Sequence, residues 1–157
     1  MAKTNSLENK LSADFPEIRF VKSDDFYWSP TTKTVFIGPL RTETDQLTLL
    51  HEVAHAVLDH KHYTRDIGLL KIEREAWEYV KTELSNRYRT VYNEDHSELM
   101  IDSYRDWLHA RSTCPQCSAS GIQTGDRTYR CVGCSHEWRV NDARRCDLRR
   151  YKLNPAN

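Results

Sequence analysis

Three residues in one short stretch of the chain carry side chains that could bind and use a metal ion. His51 and His55 are separated by three residues, and Glu52 directly follows the first histidine. On an α-helix, residues four apart lie on the same face, so both imidazoles can reach one ion. A carboxylate beside that ion can accept a proton from water. The pattern is typical of zinc hydrolases, usually peptidases.

The residues around these histidines predict the helix that must position them. Apolar residues recur at helical spacing through the stretch, at Leu47, Leu50, Ala54, Val57 and Leu58. Cap-forming and acidic residues precede them, namely Thr42, Glu43, Thr44 and Asp45, which marks a helix start. The histidines therefore lie on or beside a buried face, where polar groups need partners. We predict that the partner is a metal ion; the alternative is two histidines at the edge of an ordinary core.

The third ligand is expected on the next helix, because a catalytic zinc ion usually has three protein ligands and one open position. That helix is predicted over residues 66–86, with apolar residues Leu69, Leu70, Ile72, Ala76, Trp77, Val80 and Leu84. Glu73 falls in the middle of the apolar arc, where an unpartnered carboxylate is costly. We predict Glu73 as the third ligand and Glu75 as the second choice. Alternatively, Glu73 reaches the surface and pairs with Arg74 or Lys81.

The two helices together resemble those of the gluzincin metallopeptidases, in particular the ImmA/IrrE-like family. In that family the HExxH motif is followed by a helix reading E-x-x-A-N-x-F-A. Glu73 and Ala76 fit that pattern, Tyr79 stands at its aromatic position, and Trp77 stands where the family usually has asparagine. The resemblance implies a zincin-like metallopeptidase domain with a catalytic zinc ion. It also implies substrates that include DNA-bound repressors.

The segment before the motif predicts a β-hairpin. Residues 26–28 and 34–37 are aromatic and β-branched runs, and a Ser-Pro-containing segment separates them. Gly38 and Pro39 end the second run. In gluzincin-like folds such a sheet borders the cleft, and its edge can pair with an extended peptide. A purely structural hairpin is the alternative.

Two pairs of cysteines near the end of the chain predict a second zinc site. Each pair has the C-x-x-C spacing of a zinc knuckle: Cys114 with Cys117, and Cys131 with Cys134. Strand-like residues 128–130 lie between the two knuckles, and strand-like residues 136–140 come after the second, an order that resembles a zinc ribbon. Residues 118–125 are expected to form a mobile loop. Four thiolates close the site, so this zinc is structural. Redox disulfides are the alternative, and Cys146 is left over as a thiol.

Length and composition favour a metallopeptidase domain joined to a small metal-stabilised module. The chain has 157 residues and a formal net charge of zero, enough for one ordinary domain plus a ribbon. We predict an α+β fold, with the metallopeptidase domain at residues 1–111, including a helix at 93–111, and the ribbon with a basic tail at 112–157. No apolar run in the sequence has membrane length, and residues 1–6 lack the apolar stretch expected of a signal peptide. Zinc-knuckle cysteines suit a reducing compartment. A cytoplasmic location is expected.

Charge is uneven along the chain and suggests a possible nucleic-acid partner. The ribbon and tail are basic, with Arg127, Arg130, Arg139, Arg144, Arg145, Arg149, Arg150 and Lys152. Tyr129, Trp138 and Tyr151 are interspersed among them, a combination that can hold a phosphate backbone and stack bases. The alternative is a solvated basic face that packs against the acidic helix at residues 94–106.

The expected chemistry assigns a role to each residue of the first site. Zinc bound by the two histidines and Glu73 would activate water, and Glu52 would accept the proton and pass it to the leaving amine. Candidates for an additional oxyanion donor are His60, His62, Tyr63 and Tyr79. Asp59 could orient a histidine ligand, or it could be solvated near the helix end.

Three functions fit these features. The leading one is zinc-dependent hydrolysis of peptide bonds in intracellular proteins, which by the family resemblance include DNA-bound regulators. A short HExxH domain followed by a zinc ribbon also resembles the SprT-like proteases, which act on DNA-attached proteins but use a third histidine. The third is a non-catalytic module in which zinc stabilises the fold and the ribbon binds nucleic acid or protein.

Overall fold

The computed structural model describes residues 2–141, 148 and 150–153, with side chains from residue 7 onward. Its α+β fold divides into two compact units, residues 1–62 with 72–98 and residues 63–71 with 99–157. The predicted α+β class is confirmed. The predicted domain boundary at residue 111 stays a prediction.

The first unit contains a small mixed sheet. Strand β3 (Thr34–Ile37) lies in the middle, parallel to β1 (Arg19–Lys22) and antiparallel to β2 (Tyr27–Ser29). The predicted hairpin is confirmed, and its strands pair Trp28 with Val35. Strand β1 and the N-terminal helix α1 (Ala2–Asp14) were not predicted.

Helix α2 (Glu43–Val57) carries the HExxH motif and begins where the sequence predicts. The Thr42 side chain accepts from the backbone N–H of Asp45, and the Asp45 carboxylate accepts from the backbone N–H of Thr42. This reciprocal capping box satisfies two otherwise free donors at the helix start. The inner face of α2 is fully buried, with Leu47, Leu49, Leu50, Val53 and Ala54 in the core.

The helical segment after residue 66 continues without interruption to residue 88. Helix α3 (Asp66–Tyr79) passes into a π-helical turn (Val80–Leu84) and then into the short α4 (Ser85–Tyr88). The prediction of a helix over 66–86 is therefore confirmed, although residues 80–84 are π-helical. Helix α5 (Glu94–Ser112) follows, close to the predicted 93–111.

The ribbon belongs to the second unit and is an antiparallel sheet in the order β4–β5–β6–β7. Its strands are β4 (Gly121–Gly125), β5 (Thr128–Cys131), β6 (Glu137–Val140) and β7 (Arg150–Lys152). The expectation of a mobile loop at residues 118–125 was wrong for its second half, because β4 pairs with β5. The ribbon core consists of Cys114, Tyr129, Cys131, Trp138 and Val140.

No helix in the described part of the chain combines the length and apolar character needed to cross a membrane.

Candidate metal centre

Helices α2 and α3 bring three buried metal-binding side chains together. His51, His55 and Glu73 are 5%, 6% and 4% exposed. Their candidate ligand atoms all lie within 4.8 Å of one another. His51 Nε2 is 2.9 Å from Glu73 Oε2 and 3.0 Å from His55 Nε2. His55 Nε2 is 3.4 Å from the other carboxylate oxygen, Glu73 Oε1.

These distances and donor types fit a zinc ion. Ligand bonds of about 2.0–2.1 Å in a tetrahedral arrangement would separate the ligand atoms by about 3.3 Å, close to the spacing within this group. Two imidazoles and one carboxylate are also a known ligand set for catalytic zinc. His51 Nδ1 is buried and has no hydrogen-bond partner among the described residues. A proton on Nδ1 would leave Nε2 free to bind the ion.

The charges within the group stabilise one another. Burial alone would raise the pKa of Glu73, but hydrogen bonds and charges from His51 and His55 bring that pKa well below its usual range. Burial likewise opposes protonation of His55, but the contact with Glu73 and the charge of Glu52 raise its pKa. Glu73 is therefore a carboxylate held ionised in a buried place, which suits a cation at the same point.

Glu52 lies on the same helix and is half-buried. The negative charge of Glu52 helps to raise the pKa of His55, so this carboxylate interacts electrostatically with the site. It is more accessible than the three grouped side chains. A group that exchanges protons with water or substrate needs that access.

An aromatic layer covers the first histidine. The Trp77 ring stacks on His51 with centroids 4.3 Å apart and planes 21° from parallel. The rings of His96 and Trp77 are nearly perpendicular with centroids 5.7 Å apart, and His96 Nε2 lies 3.3 Å from the hydroxyl of Thr48. Burial and the charge of His51 lower the pKa of His96. Sequence reasoning missed Thr48 and His96; Trp77, in the apolar arc of the predicted second helix, was the available signal for this layer.

His60 and Glu75 lie behind the second histidine. His60 is 8% exposed, and its Nδ1 is 2.8 Å from His55 Nδ1. His60 Nε2 is 3.1 Å from Glu75 Oε2. Burial and the charge of His55 lower the pKa of His60, outweighing the opposing effect of Glu75. Glu75, the second choice as third ligand, thus contacts His60 and lies outside the buried three-residue group.

The turn after α2 brings His60 back to the helix. The backbone N–H of His60 donates to His55 O at 3.0 Å, and that of Asp59 donates to Ala56 O at 3.2 Å. Asp59 has a φ of 53°. This is the Schellman pattern, in which a left-handed residue lets the chain reverse over the last helical turn. The Asp59 carboxylate itself pairs with Lys61 at 3.3 Å, so the structure does not bring it to the imidazole of His55.

The other predicted oxyanion donors occupy varied positions. The side chain of His62 is exposed. Tyr79 is half-buried near the end of α3 and acts electrostatically on Tyr88. Tyr63 belongs to the second unit.

The four predicted cysteines of the ribbon form the second candidate metal site. Their sulfur atoms lie within 4.8 Å of one another. Cys114 Sγ is 3.7 Å from Cys134 Sγ, and Cys117 Sγ is 3.4 Å from Cys131 Sγ. A disulfide bond is about 2.05 Å long, so these sulfurs are not bonded to each other. Zinc–sulfur bonds of about 2.3 Å in a tetrahedron give sulfur separations of about 3.8 Å, which fits.

Backbone amides surround the ribbon sulfurs as in a zinc knuckle. Gly133 N and Cys134 N donate to Cys131 Sγ at 3.2 and 3.4 Å, and Gln116 N donates to Cys114 Sγ at 3.4 Å. The amide of Cys134 above all, with the amide of Gly133 and the neighbouring cysteine side chains, lowers the pKa of Cys131 to about 6. Donors aimed at sulfur favour the thiolate, which is the form that binds metal.

The outer face of the ribbon sheet is basic and carries a tyrosine. Strand alternation buries Tyr129 and Trp138 and turns Arg130 and Arg139 outward. Arg139 pairs with Tyr151 across the strands, with the guanidinium 4.8 Å from the ring. The predicted basic residues Arg144, Arg145 and Arg149, together with Cys146, lie outside the described residues.

Comparisons with protein-family models, with curated proteins and with solved structures found no match to this chain.

Proposed function

We propose that the chain is a zinc-dependent metallopeptidase of the gluzincin type. One observation carries the proposal: two histidines one helical turn apart and a glutamate from the next helix converge in a buried group. The charge of Glu52, on the same helix as the histidines, acts on His55. Three protein ligands leave one coordination position open, as catalytic zinc requires. A structural zinc would have no need of a carboxylate next to its ligands.

The chain's own residues supply the proton transfers of hydrolysis. A bound zinc ion would lower the pKa of a water molecule and polarise the scissile carbonyl. Glu52 would accept a proton from the attacking water, whose oxygen would add to the carbonyl carbon. The carbon–nitrogen bond then breaks, and Glu52 returns the proton to the leaving amine. His51, His55 and Glu73 would hold the ion.

The substrate proposed is a protein within the cell, and the resemblance to ImmA/IrrE-like peptidases suggests a DNA-bound regulator. Strand β2 is at an edge of its sheet, and such an edge can hold an extended peptide by strand pairing. A ligand set completed by Glu73 argues against the SprT-like alternative, which uses a third histidine. Unbonded thiols in knuckle geometry suit a reducing compartment, and we propose a cytoplasmic location.

The test compares Glu52→Gln with Glu43→Gln, which changes an exposed carboxylate on the same helix. Each zinc-loaded protein is incubated with a library of peptides, and cleavage products are measured by mass spectrometry. Loss of a general base costs about 10²–10⁴-fold in rate, so Glu52→Gln should lose cleavage while keeping its zinc. Glu43→Gln should cleave like the parent. Equal cleavage by parent and Glu52→Gln would overturn the mechanism.

We propose a second, auxiliary function for the ribbon, namely binding of single-stranded nucleic acid. The supporting observation is the outer face, where Arg139 lies over Tyr151 and Ile122 is 61% exposed. Arg130 is on the same face, opposite Glu137. Cations bind phosphates, and an exposed aromatic ring can stack on a base.

Binding of fluorescent oligothymidylate, titrated at several salt concentrations, tests this function. Tyr151→Ala should weaken binding by about 1–3 kcal/mol through lost stacking. Arg139→Ala should reduce the steepness of the plot of log binding constant against log salt concentration by about 0.7. Arg87→Ala, which removes an exposed arginine paired with Asp14 in the first unit, serves as the control. No binding by the parent, or equal binding by all variants, would refute the nucleic-acid function.

A further inference from the structure

A line of hydrogen-bonding groups runs from the buried site to the surface of the first unit. It begins at His55, passes through the buried ring of His60 and ends at Glu75, whose side chain is 48% exposed. The two contacts are 2.8 Å between the Nδ1 atoms of the histidines and 3.1 Å between His60 Nε2 and Glu75 Oε2. Both are within hydrogen-bonding distance.

The Glu75 carboxylate at one end of this line determines which ring nitrogen of each histidine carries a proton. An ionised carboxylate only accepts hydrogen bonds, so His60 Nε2 must carry the proton that it shares with Glu75. A neutral imidazole with a proton on Nε2 has a lone pair on Nδ1. That lone pair must accept from His55, so the proton of His55 lies on its own Nδ1. When His55 is neutral, its Nε2 atom therefore carries the lone pair, and this atom faces Glu73 and His51.

The backbone holds His60 in place independently of its ring. Its N–H donates to His55 O, and its carbonyl accepts from the indole Nε1 of Trp28 at 2.9 Å. The ring therefore approaches His55 from a turn fixed at both its amide and its carbonyl. A partner fixed in this way can set the direction of the His55 ring as well as its tautomer.

We infer that His60 and Glu75 are positioning residues, which hold His55 in the tautomer and orientation that present Nε2 to a metal ion. The inference rests on the metal site of the proposed function, but not on peptide hydrolysis. Metal-bound histidines commonly donate their second ring N–H to a carboxylate or a carbonyl. Here His60 lies between the candidate ligand His55 and the carboxylate of Glu75. It thereby links the buried ring of His55 to an exposed side chain by hydrogen bonds.

The first experiment reads the tautomers directly. Nitrogen–proton correlation spectra of the imidazole rings are recorded on the full chain before and after zinc is added. We expect a proton on Nδ1 of His55 and on Nε2 of His60 in both states. A proton on Nδ1 of His60 would overturn the inference, because the two Nδ1 atoms could not then be joined as described.

The second experiment measures zinc affinity of the first site by competition with a chelator. His60→Phe should weaken it about 10- to 100-fold, the usual cost of losing a partner of a metal-bound histidine. His60→Asn offers an oxygen acceptor to His55 Nδ1 and should recover most of that loss. His109→Phe, which removes an exposed histidine from α5, should bind zinc like the parent. Equal affinities for His60→Phe and His109→Phe would overturn the positioning role.

Glu75→Ala keeps the test decisive if His60→Phe does not fold, because Glu75 is half-exposed and its loss leaves no cavity in the core. We expect an affinity loss of about tenfold, the lower end of the same range, and a mixed tautomer population at His60. Glu78→Ala, an exposed carboxylate on the same helix, should change neither. Should the parent bind zinc but cleave no peptide, the proposed function fails, while the tautomers and affinities still decide this inference.

Discussion

The three-residue group in the first unit and the four-cysteine cluster in the ribbon gather their donors from different kinds of structure. His51, His55 and Glu73 project from two long helices whose inner faces are packed with aliphatic side chains. The four cysteines stand on two short knuckles, and two of them, Cys114 and Cys131, belong to the small ribbon core. The first group is thus held by a core that exists without metal, whereas the second is part of the core that it would stabilise.

The difference separates two uses of metal. A preformed site with three ligands can leave a coordination position open, because the surrounding fold does not depend on the bound ion. A closed four-thiolate site uses all of its coordination to join chain segments, and its binding energy becomes folding energy. Removal of metal should therefore affect chemistry in the first unit and folding in the ribbon.

The largest effect is expected from Cys131→Ser, which removes one ribbon ligand. Zinc binding to such sites contributes about 10–16 kcal/mol of apparent free energy, far more than the ribbon core can replace. The ribbon should unfold. In proton–nitrogen spectra the indole N–H of Trp138, which donates to Arg111 O at 3.0 Å, should move to its random-coil position.

His51→Ala is the matched change in the first unit, and it should leave the amide of Leu50 in its native position while zinc is lost from that site. If His51→Ala unfolded the first unit, or if Cys131→Ser left Trp138 unchanged, the contrast between a preformed and a metal-dependent site would fail.

Exchanging Glu73 and Glu75 of α3 for glutamine, one at a time, separates a ligand from a supporting residue. Glu73→Gln removes the charge at the centre of the buried group, where the carboxylate lies 2.9 Å from His51 Nε2. Its zinc affinity should fall by more than the roughly 100-fold upper limit for supporting residues, whereas Glu75→Gln should stay within about tenfold of the parent. Chelator competition measures both. Similar losses for the two variants would mean that Glu73 is not a ligand.

Much of the first site could be predicted from the sequence because two strong local patterns coincide there. The capping residues and apolar spacing of α2 place His51 and His55, and the apolar arc of α3 singles out Glu73. Both patterns involve neighbours in the sequence, so helical geometry alone is enough to apply them. The cysteine spacing likewise predicts the ribbon group, since a C-x-x-C knuckle is a local structure.

What could not be predicted depends on the backbone between elements and on contacts distant in sequence. The position of His60 depends on the left-handed backbone conformation of Asp59. In a sequence, glycine usually indicates this conformation, and aspartate alone does not predict it. Strand β1 has only four residues. Its partner is β3 and not β2, the next strand along the chain. The contacts of His96 with Thr48 and Trp77 join residues far apart along the chain, which spacing does not reveal.

A pair of glycine substitutions tests how much the ribbon depends on packing in addition to zinc. A Cβ atom at Gly121 would lie 2.4 Å from Trp138 Cη2 and 3.0 Å from Ser112 O. Because Trp138 is fully buried, Gly121→Ala should destabilise the ribbon by about 1–3 kcal/mol.

The control is Gly68→Ala in α3 of the same unit, where the nearest atom is Tyr63 Cβ at an ordinary 3.8 Å. It should stabilise the unit by up to about 1 kcal/mol because alanine favours helix. Urea unfolding at saturating zinc measures both. A neutral Gly121→Ala would show that zinc alone determines the stability of the ribbon.

The smallest effects are expected at two residues with a strained backbone, each of which follows a metal-binding segment. Asp59 comes after helix α2 and has a φ of 53°. Ser135 comes after the second knuckle and has a φ of 61°. A left-handed conformation costs residues with a Cβ atom about 1 kcal/mol or more, whereas glycine adopts it freely. Asp59→Gly should therefore stabilise the first unit, and Ser135→Gly the ribbon, each by about 1 kcal/mol.

Amide hydrogen exchange measures the two units separately, and Asp59→Ala is the control that keeps the strain but removes the carboxylate. If Asp59→Gly and Asp59→Ala were equally stable, the left-handed turn would not be a source of strain. Ser135→Gly should also bind ribbon zinc more tightly, because folding and binding are one process there. Asp59→Gly should leave zinc affinity of the first site nearly unchanged, because the site that it supports is already folded without the ion.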